Sequence, residues 1–132
     1  MNLGRILKFL RPTARWECPP IMSTCPDGEG GKYEDLVWMS SDQDKPSYEE
    51  VLSAELPAEK SFRIRGIKSE AMTRIEAVAP AWKQINTALG FYPSEKSQAI
   101  KDSINAVRSA SDAAEAAVNA LTTVAEVQGF TW

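Results

Sequence analysis

Apolar positions along the first ten residues recur with the spacing of one helix face. Leu3, Ile6, Leu7 and Leu10 stand at steps of 3, 1 and 3, which predicts a short amphipathic helix over residues 2–10. Pro12 ends it, because the residue before a proline avoids helical geometry. The period then shortens to two. Thr13–Cys18 reads as a strand with Ala14 and Trp16 set apart from Arg15 and Glu17. Tyr33–Met39 reads as a second, with Leu36 and Trp38 on one face and Val37 and Met39 on the other. Between them, Pro26, Asp27, Gly28, Gly30 and Gly31 make a long turn. Ser47 with Glu50 three residues on forms a capping box. A short helix from Tyr48 to about Leu56 is expected behind it, stopped by Pro57.

From Ala58 onward the pattern is helical. Ala71, Ile75, Val78, Trp82, Ile85 and Leu89 are spaced 4, 3, 4, 3, 4, a heptad seam. Pro80 falls inside it and should kink or split the helix near Val78. Gly90 suits a helix C-terminus, Phe91-Tyr92-Pro93 a bend, and Ser94 the next N-cap. A third helix is expected from Glu95 to about Ala125. Its seam is Ile100, Ile104, Val107, Ser111, Ala114, Val118 and Leu121. The fold class that follows is α+β, mostly α. A small α-β-β-α module over residues 1–56 precedes a long antiparallel two-helix hairpin or coiled coil over residues 57–132. At 1.5 Å per residue each arm is roughly 40 Å long, with one apolar side and no third layer. Two readings stand side by side: a hairpin packed on itself, and a coiled-coil contribution to a homo-oligomer. The chain ends in Gly129-Phe130-Thr131-Trp132. Such a terminus either tucks onto its own helices or anchors in a pocket of a partner.

Composition changes this picture mainly by exclusion. The 132 residues include no histidine. That removes the Ser-His-Asp triad, the Cys-His pair and histidine-ligated metal sites, and argues against most hydrolases. No apolar run approaches the ~20 residues of a membrane span. The interrupted stretch at residues 3–10, with Arg5 and Lys8 inside it, is not read as a secretion signal. The expected site of folding is the cytoplasm. Cys18 and Cys25 lie in the Pro/Gly-rich loop and offer one loose pair instead of the four ligands of a zinc site. They can be two thiols or, in a particle outside the cell, a disulfide.

The net charge of −3 is uneven. Residues 1–16 carry four bases and no acid, and residues 17–56 carry ten acids against Lys32 and Lys45. The basic start is expected to meet the acidic middle of its own or a neighbouring chain; phosphate or anionic lipid is the other reading. Arg63, Arg65, Lys68 and Arg74 cluster early in the second helix without the interleaved aromatics of a nucleotide-binding face, so no nucleic acid is expected there. Glu34, Asp35, Asp42 and Asp44 read as a solvated rim, with no neighbour placed to desolvate a catalytic pair. Asp42-Gln43-Asp44 lacks the glycine and distal glutamate of a calcium loop. Gly28-Glu29-Gly30-Gly31 is followed by no Lys-Ser/Thr and opens no helix, so it makes a poor phosphate cradle. No cofactor, metal or small-molecule substrate is expected.

Short motifs carry a family resemblance. Ile6-Leu7-Lys8-Phe9-Leu10-Arg11-Pro12, then Ala14-Arg15-Trp16, Leu36-Val37-Trp38, Lys45-Pro46-Ser47 and Glu49-Glu50-Val51 resemble the pattern of small tail-region proteins of tailed bacteriophages. The stretches Arg65–Ala71, Arg74–Trp82 and Ile104–Asp112 are similar to another recurring phage segment. Chains of this kind also tend to end in an aromatic residue. The resemblance implies a non-enzymatic virion protein of the tail tip, baseplate or fibre, made in the host cytoplasm. The alternative is a tail-fibre assembly chaperone absent from the finished virion. Its partners would be other tail proteins and further copies of itself. The expected interface is Ala71, Ile75, Val78, Trp82, Ile85, Leu89, Ile100, Ile104, Val107, Ala114, Val118, Leu121, Phe130 and Trp132. Trp16, Trp38, Trp82 and Trp132 are the aromatic residues expected to serve core and contact. The Cys18–Cys25 loop departs from the short turn the resemblance leads one to expect.

Overall fold

The computed structural model describes residues 1–17 and 32–132. The Cys18 and Cys25 pair, with its two redox readings, lies outside the described residues. The chain is mostly helical, with long helices and one small two-stranded antiparallel sheet. It forms two compact units: Met1–Phe62 with Thr122–Gly129, and Arg63–Leu121 with Phe130–Trp132.

In the first unit α1 spans Leu3–Leu10. It starts one residue later than the spacing predicts, because the Asn2 side chain accepts a hydrogen bond from the Arg5 amide at 3.0 Å and so acts as the cap. Its apolar stripe, Leu3, Ile6 and Leu7, is fully buried with Leu36, Val51, Ala54 and Ala58. The leucine, isoleucine and valine side chains of this set each contribute roughly 1.5–3 kcal/mol by leaving water. The strands β1 (Trp16–Glu17) and β2 (Val37–Trp38) pair Trp16 with Trp38 and Glu17 with Val37. The Met39 amide donates to the Arg15 carbonyl at 3.0 Å and extends the ladder by one step. The two indoles stack, centroids 6.4 Å apart.

Both strands are shorter than the alternation predicts. Tyr33–Asp35 is a 3₁₀ turn. The reason lies in Tyr33, whose hydroxyl donates to the Pro46 carbonyl at 2.6 Å and whose ring lies 5.3 Å from that of Tyr48. These contacts fix the segment in a turn that satisfies its own backbone, the Leu36 amide donating to the Tyr33 carbonyl. The alternation itself holds beyond the turn: Leu36 is buried, while Val37 and Met39 are exposed.

Helix α2 spans Tyr48–Val78. The Ser47–Glu50 capping box forms as its spacing requires, the Ser47 amide donating to the Glu50 carboxylate (2.7 Å) and the Glu50 amide to the Ser47 hydroxyl (3.2 Å). Pro57, expected to stop this helix, does not. A proline inside a helix costs about 3 kcal/mol through the lost bond and the clash one turn back. Here it sits on the exposed side, and the orphaned carbonyl belongs to Ser53, also exposed. Buried contacts lie on both sides of it, with Val51 and Ala54 before and Ala58 after. Arg5 holds Glu59 at 2.6 Å, and the amino terminus holds Glu55 at 3.3 Å. Tertiary contacts thus carry the helix through its weak turn.

Pro80 does break the pattern. After α2 ends at Val78, α3 starts at Ala81 and runs to Ala88, with Pro80 as its N-cap. The Glu76 carboxylate accepts the Ala81 amide at 3.1 Å across the break, and the Gln84 side chain donates to the Ala79 carbonyl at 2.7 Å. Gly90 closes α3 with φ of +76°. The Gly90 amide donates to Thr87 and the Phe91 amide to Asn86, the paired bonds of a Schellman ending.

Helix α4 spans Ser94–Ala120. Pro93 is the N-cap, and Ser94 is already helical, contrary to its expected capping role. A proline before it with extended ψ turns the chain into the helix without a side-chain cap. The helix also ends five residues earlier than expected. Thr123 and Glu126 form a second capping box, which nucleates α5 (Val124–Gly129). The Glu126 carboxylate accepts from the amides of Thr122 (3.1 Å) and Thr123 (2.9 Å) and from both hydroxyls. The two-helix hairpin is therefore interrupted in both arms, at Pro80 where the sequence leads one to expect it and after Ala120 where it does not.

Candidate interaction surface

The two heptad seams meet opposite fates. On α4, Ile100, Ser111, Ala114 and Val118 are buried and Ile104, Val107 and Leu121 half-buried. These positions face the chain's own interior. On the first seam only Ala71 is buried and Ile75 half-buried. Val78, Trp82, Ile85 and Leu89 are 44%, 57%, 57% and 64% exposed.

Helix α3 is inside out. Its sequence is Ala-Trp-Lys-Gln-Ile-Asn-Thr-Ala. Ala81, Trp82, Ile85 and Ala88 are exposed, whereas Lys83, Gln84, Asn86 and Thr87 are half-buried. At about 100° per residue the exposed set occupies one arc of about 120° and the half-buried set the other. The polar arc uses its groups at home. Thr87 donates to the Lys83 carbonyl at 2.8 Å, Asn86 reaches the Tyr92 hydroxyl at 3.4 Å, and the Lys83 ammonium lies 5.7 Å from the Trp82 ring. Immediately after the helix, Leu89 and Phe91 add further exposed apolar surface. Together these side chains form the candidate site. So many large apolar side chains exposed within ten residues are uncommon on a self-sufficient monomer.

The aromatic C-terminus is engaged within its own unit. The Trp132 indole N–H donates to the Glu70 carboxylate at 3.2 Å, and the Arg74 guanidinium lies 4.1 Å from the ring centroid. Arg74 also donates to the Trp132 carbonyl at 2.9 Å and to Glu70 at 2.6 Å. Arg63 lies 5.9 Å from the Phe130 ring. Of the two readings of the terminus, the structure takes the tucked one. Glu70 and Arg74 are the residues that the sequence reading left out of this contact. Their i,i+4 spacing is visible in the sequence, but nothing local ties them to a residue 62 and 58 positions away.

The charged clusters find similar local uses. In the basic start, Arg5 pairs with Glu59 and lies 3.6 Å over the Phe62 ring, and Arg11 pairs with Glu50 at 3.7 Å. Both therefore meet acids of their own chain. In the second cluster, Lys68 meets Glu115 at 3.3 Å. The carboxylates Glu34, Asp35, Asp42 and Asp44 are all exposed. Hydrogen bonds from the Ser47 backbone and side chain hold Glu50 below the usual glutamate range; that from Arg74 does the same for Glu70, and those from Thr123 and Thr122 for Glu126. Among the described residues no three metal-ligating side chains come together, and no helix is long and apolar enough to cross a membrane.

No known protein family, curated protein or solved structure matches this chain.

Proposed function

We propose that this chain is a non-enzymatic structural component of a bacteriophage tail, of the tip, baseplate or fibre region, acting through protein–protein contact. The observation that carries the reading is the inverted orientation of α3, which spends polar side chains on its own chain and leaves Trp82 and Ile85 outside. A domain that works alone has little reason to keep that arrangement, because turning the helix about its axis would bury the apolar arc. The likeness of the Ile6–Pro12 and Lys45–Val51 motifs to phage tail-region proteins supplies the setting. In this reading α2 and α4 act as stiff struts. Heptad pairing of the coiled-coil kind engages the exposed end of the first seam, from Val78 to Leu89, with other tail proteins or further copies. The finished protein resides in the virion after synthesis in the host cytoplasm.

Mass spectrometry of purified particles tests this. Peptides of the chain at several copies per particle are the expected result. A chain abundant in infected cells but missing from particles overturns the virion role and points to an assembly chaperone for tail fibres.

A further inference from the structure

We infer that the apolar arc of α3 is a self-pairing surface, and that its occupant is a second copy of this chain docked antiparallel about a two-fold axis near Ile85. This rests on the contact role proposed above and names its partner.

Three observations converge on a second copy. The first is charge. The exposed arc of α3 consists of Ala81, Trp82, Ile85 and Ala88, without a charged side chain of its own, and its borders carry one charge of each sign, the Glu76 carboxylate 3.1 Å from the Ala81 amide and the Lys83 ammonium 5.7 Å from the Trp82 ring. Two identical arcs can therefore meet without opposing like charges, which is the demand that an isologous interface makes of a surface. An arc built for an acidic or basic partner would carry a single opposite sign on its margins, and here the two signs balance.

The second is area. From their exposures, Val78, Trp82, Ile85, Leu89 and Phe91 together leave roughly 600 Å² in water per copy, so a pair built on α3 and its flanks covers at most about 1,200 Å², the lower edge of specific interfaces. That suits a self-association in the range of about 1–100 µM. High local concentration, as in an assembling particle, would then saturate it.

The third is shape. Trp82 and Leu89 flank Ile85 in sequence, three residues before and four after. In an antiparallel pair the large indole of one copy falls opposite the smaller Leu89 of the other, with Ile85 meeting Ile85. A parallel pair would set the two indoles against each other. The small side chains of Ala81 and Ala88 on the margin allow close approach of the two helices. Antiparallel docking also opposes the two helix dipoles favourably.

Sedimentation velocity of the full chain from 1 to 300 µM tests the inference. The expected result is a concentration-dependent shift from 14.5 kDa to twice that mass. Ile85→Glu and, separately, Leu89→Ser should weaken self-association at least tenfold and leave the helical circular dichroism and melting curve unchanged. Leu52→Glu, on a comparably exposed apolar residue of the other unit (47% exposed), should leave the mass shift intact. A wild-type chain that stays monomeric throughout overturns the inference. So does a dimer that survives both α3 substitutions, or one lost equally with Leu52→Glu. Particle content separates this from the broader proposal. Monomers in solution with the chain present in virions sink only the self-pair, and dimers with the chain absent from virions sink only the virion role.

Discussion

Helices α1 and α3 each have eight residues and carry apolar side chains at three- and four-residue steps. In α1 the stripe Leu3, Ile6 and Leu7 is at most 1% exposed; in α3 Trp82 and Ile85 are each 57% exposed. Amphipathicity is therefore the same kind of signal in both, and coverage is not. Helix α1 has a facing layer from Leu36, Val51, Ala54 and Ala58. Helix α3 meets α4, but its half-buried side chains are Lys83, Gln84, Asn86 and Thr87, and its greasy side is left over. The difference teaches that an apolar stripe reports a surface seeking cover, and that what the tertiary fold sets against it decides whether the chain supplies it.

The sharpest way to break this comparison is a pair of truncations. Leu7→Ala should cost about 2–5 kcal/mol in denaturant unfolding, since it removes a packed side chain from the first core. Ile85→Ala, measured at a concentration too low for association, should stay within about 0.5 kcal/mol of wild type. Equal losses at both sites would mean that α3 is covered after all.

A second contrast concerns what fixes α3 in its orientation. Gly90 adopts φ of +76°, a left-handed conformation, so Gly90→Ala should cost about 1–2 kcal/mol. Thermal melting would read it, and a neutral result would mean that the turn after α3 is not held. Gly66, inside α2, has no atom within 4 Å of an added Cβ. Gly66→Ala should stabilise by about 0.5–1 kcal/mol, through helix propensity alone.

Trp132→Ala is expected to be milder than either core or turn change. The Arg74 stacking and Glu70 hydrogen bond it removes lie on a partly exposed surface, worth under about 1 kcal/mol. Loss of helix content on this substitution would assign the terminus a larger part in the second unit than these contacts support.

Acid should give the smallest effect. Glu50, Glu70 and Glu126 are each held below the ordinary glutamate value by hydrogen bonds to the charged form. Such a group stabilises the fold at neutral pH, and its contribution is lost as pH falls from the unfolded glutamate value of about 4.3 through the lower folded one. Helicity followed by circular dichroism from pH 6 to 2.5 should therefore decline in that window. Glu126→Gln should flatten part of the decline, and an unchanged profile would show that the Thr123–Glu126 cap does not hold α5.

Much of the local structure was legible from residue order because it is set by neighbours in the chain. The stripe of α1, the Ser47–Glu50 box, the break at Pro80 and the glycine ending of α3 all depend on groups within four or five residues of each other. The Thr123–Glu126 box is equally local, but the apolar seam running through Val118 and Leu121 reads as one continuous helix across it. Where the reading went astray, the deciding groups were distant. Pro57 stays helical because α1 packs against the turns on both sides of it, and Tyr33 leaves the strand for Pro46 and Tyr48. Trp132 settles on Glu70 and Arg74, more than fifty residues back.

The sequence by itself determined which positions along α3 and α4 are apolar, because helical geometry turns a spacing into a stripe without reference to anything else. Only the tertiary structure decided that the stripe of α4 lies inside and that of α3 outside. Burial is a property of what stands opposite a surface, and with Lys83, Gln84, Asn86 and Thr87 taking the half-buried arc, the described residues leave more than half of Trp82 and of Ile85 in water.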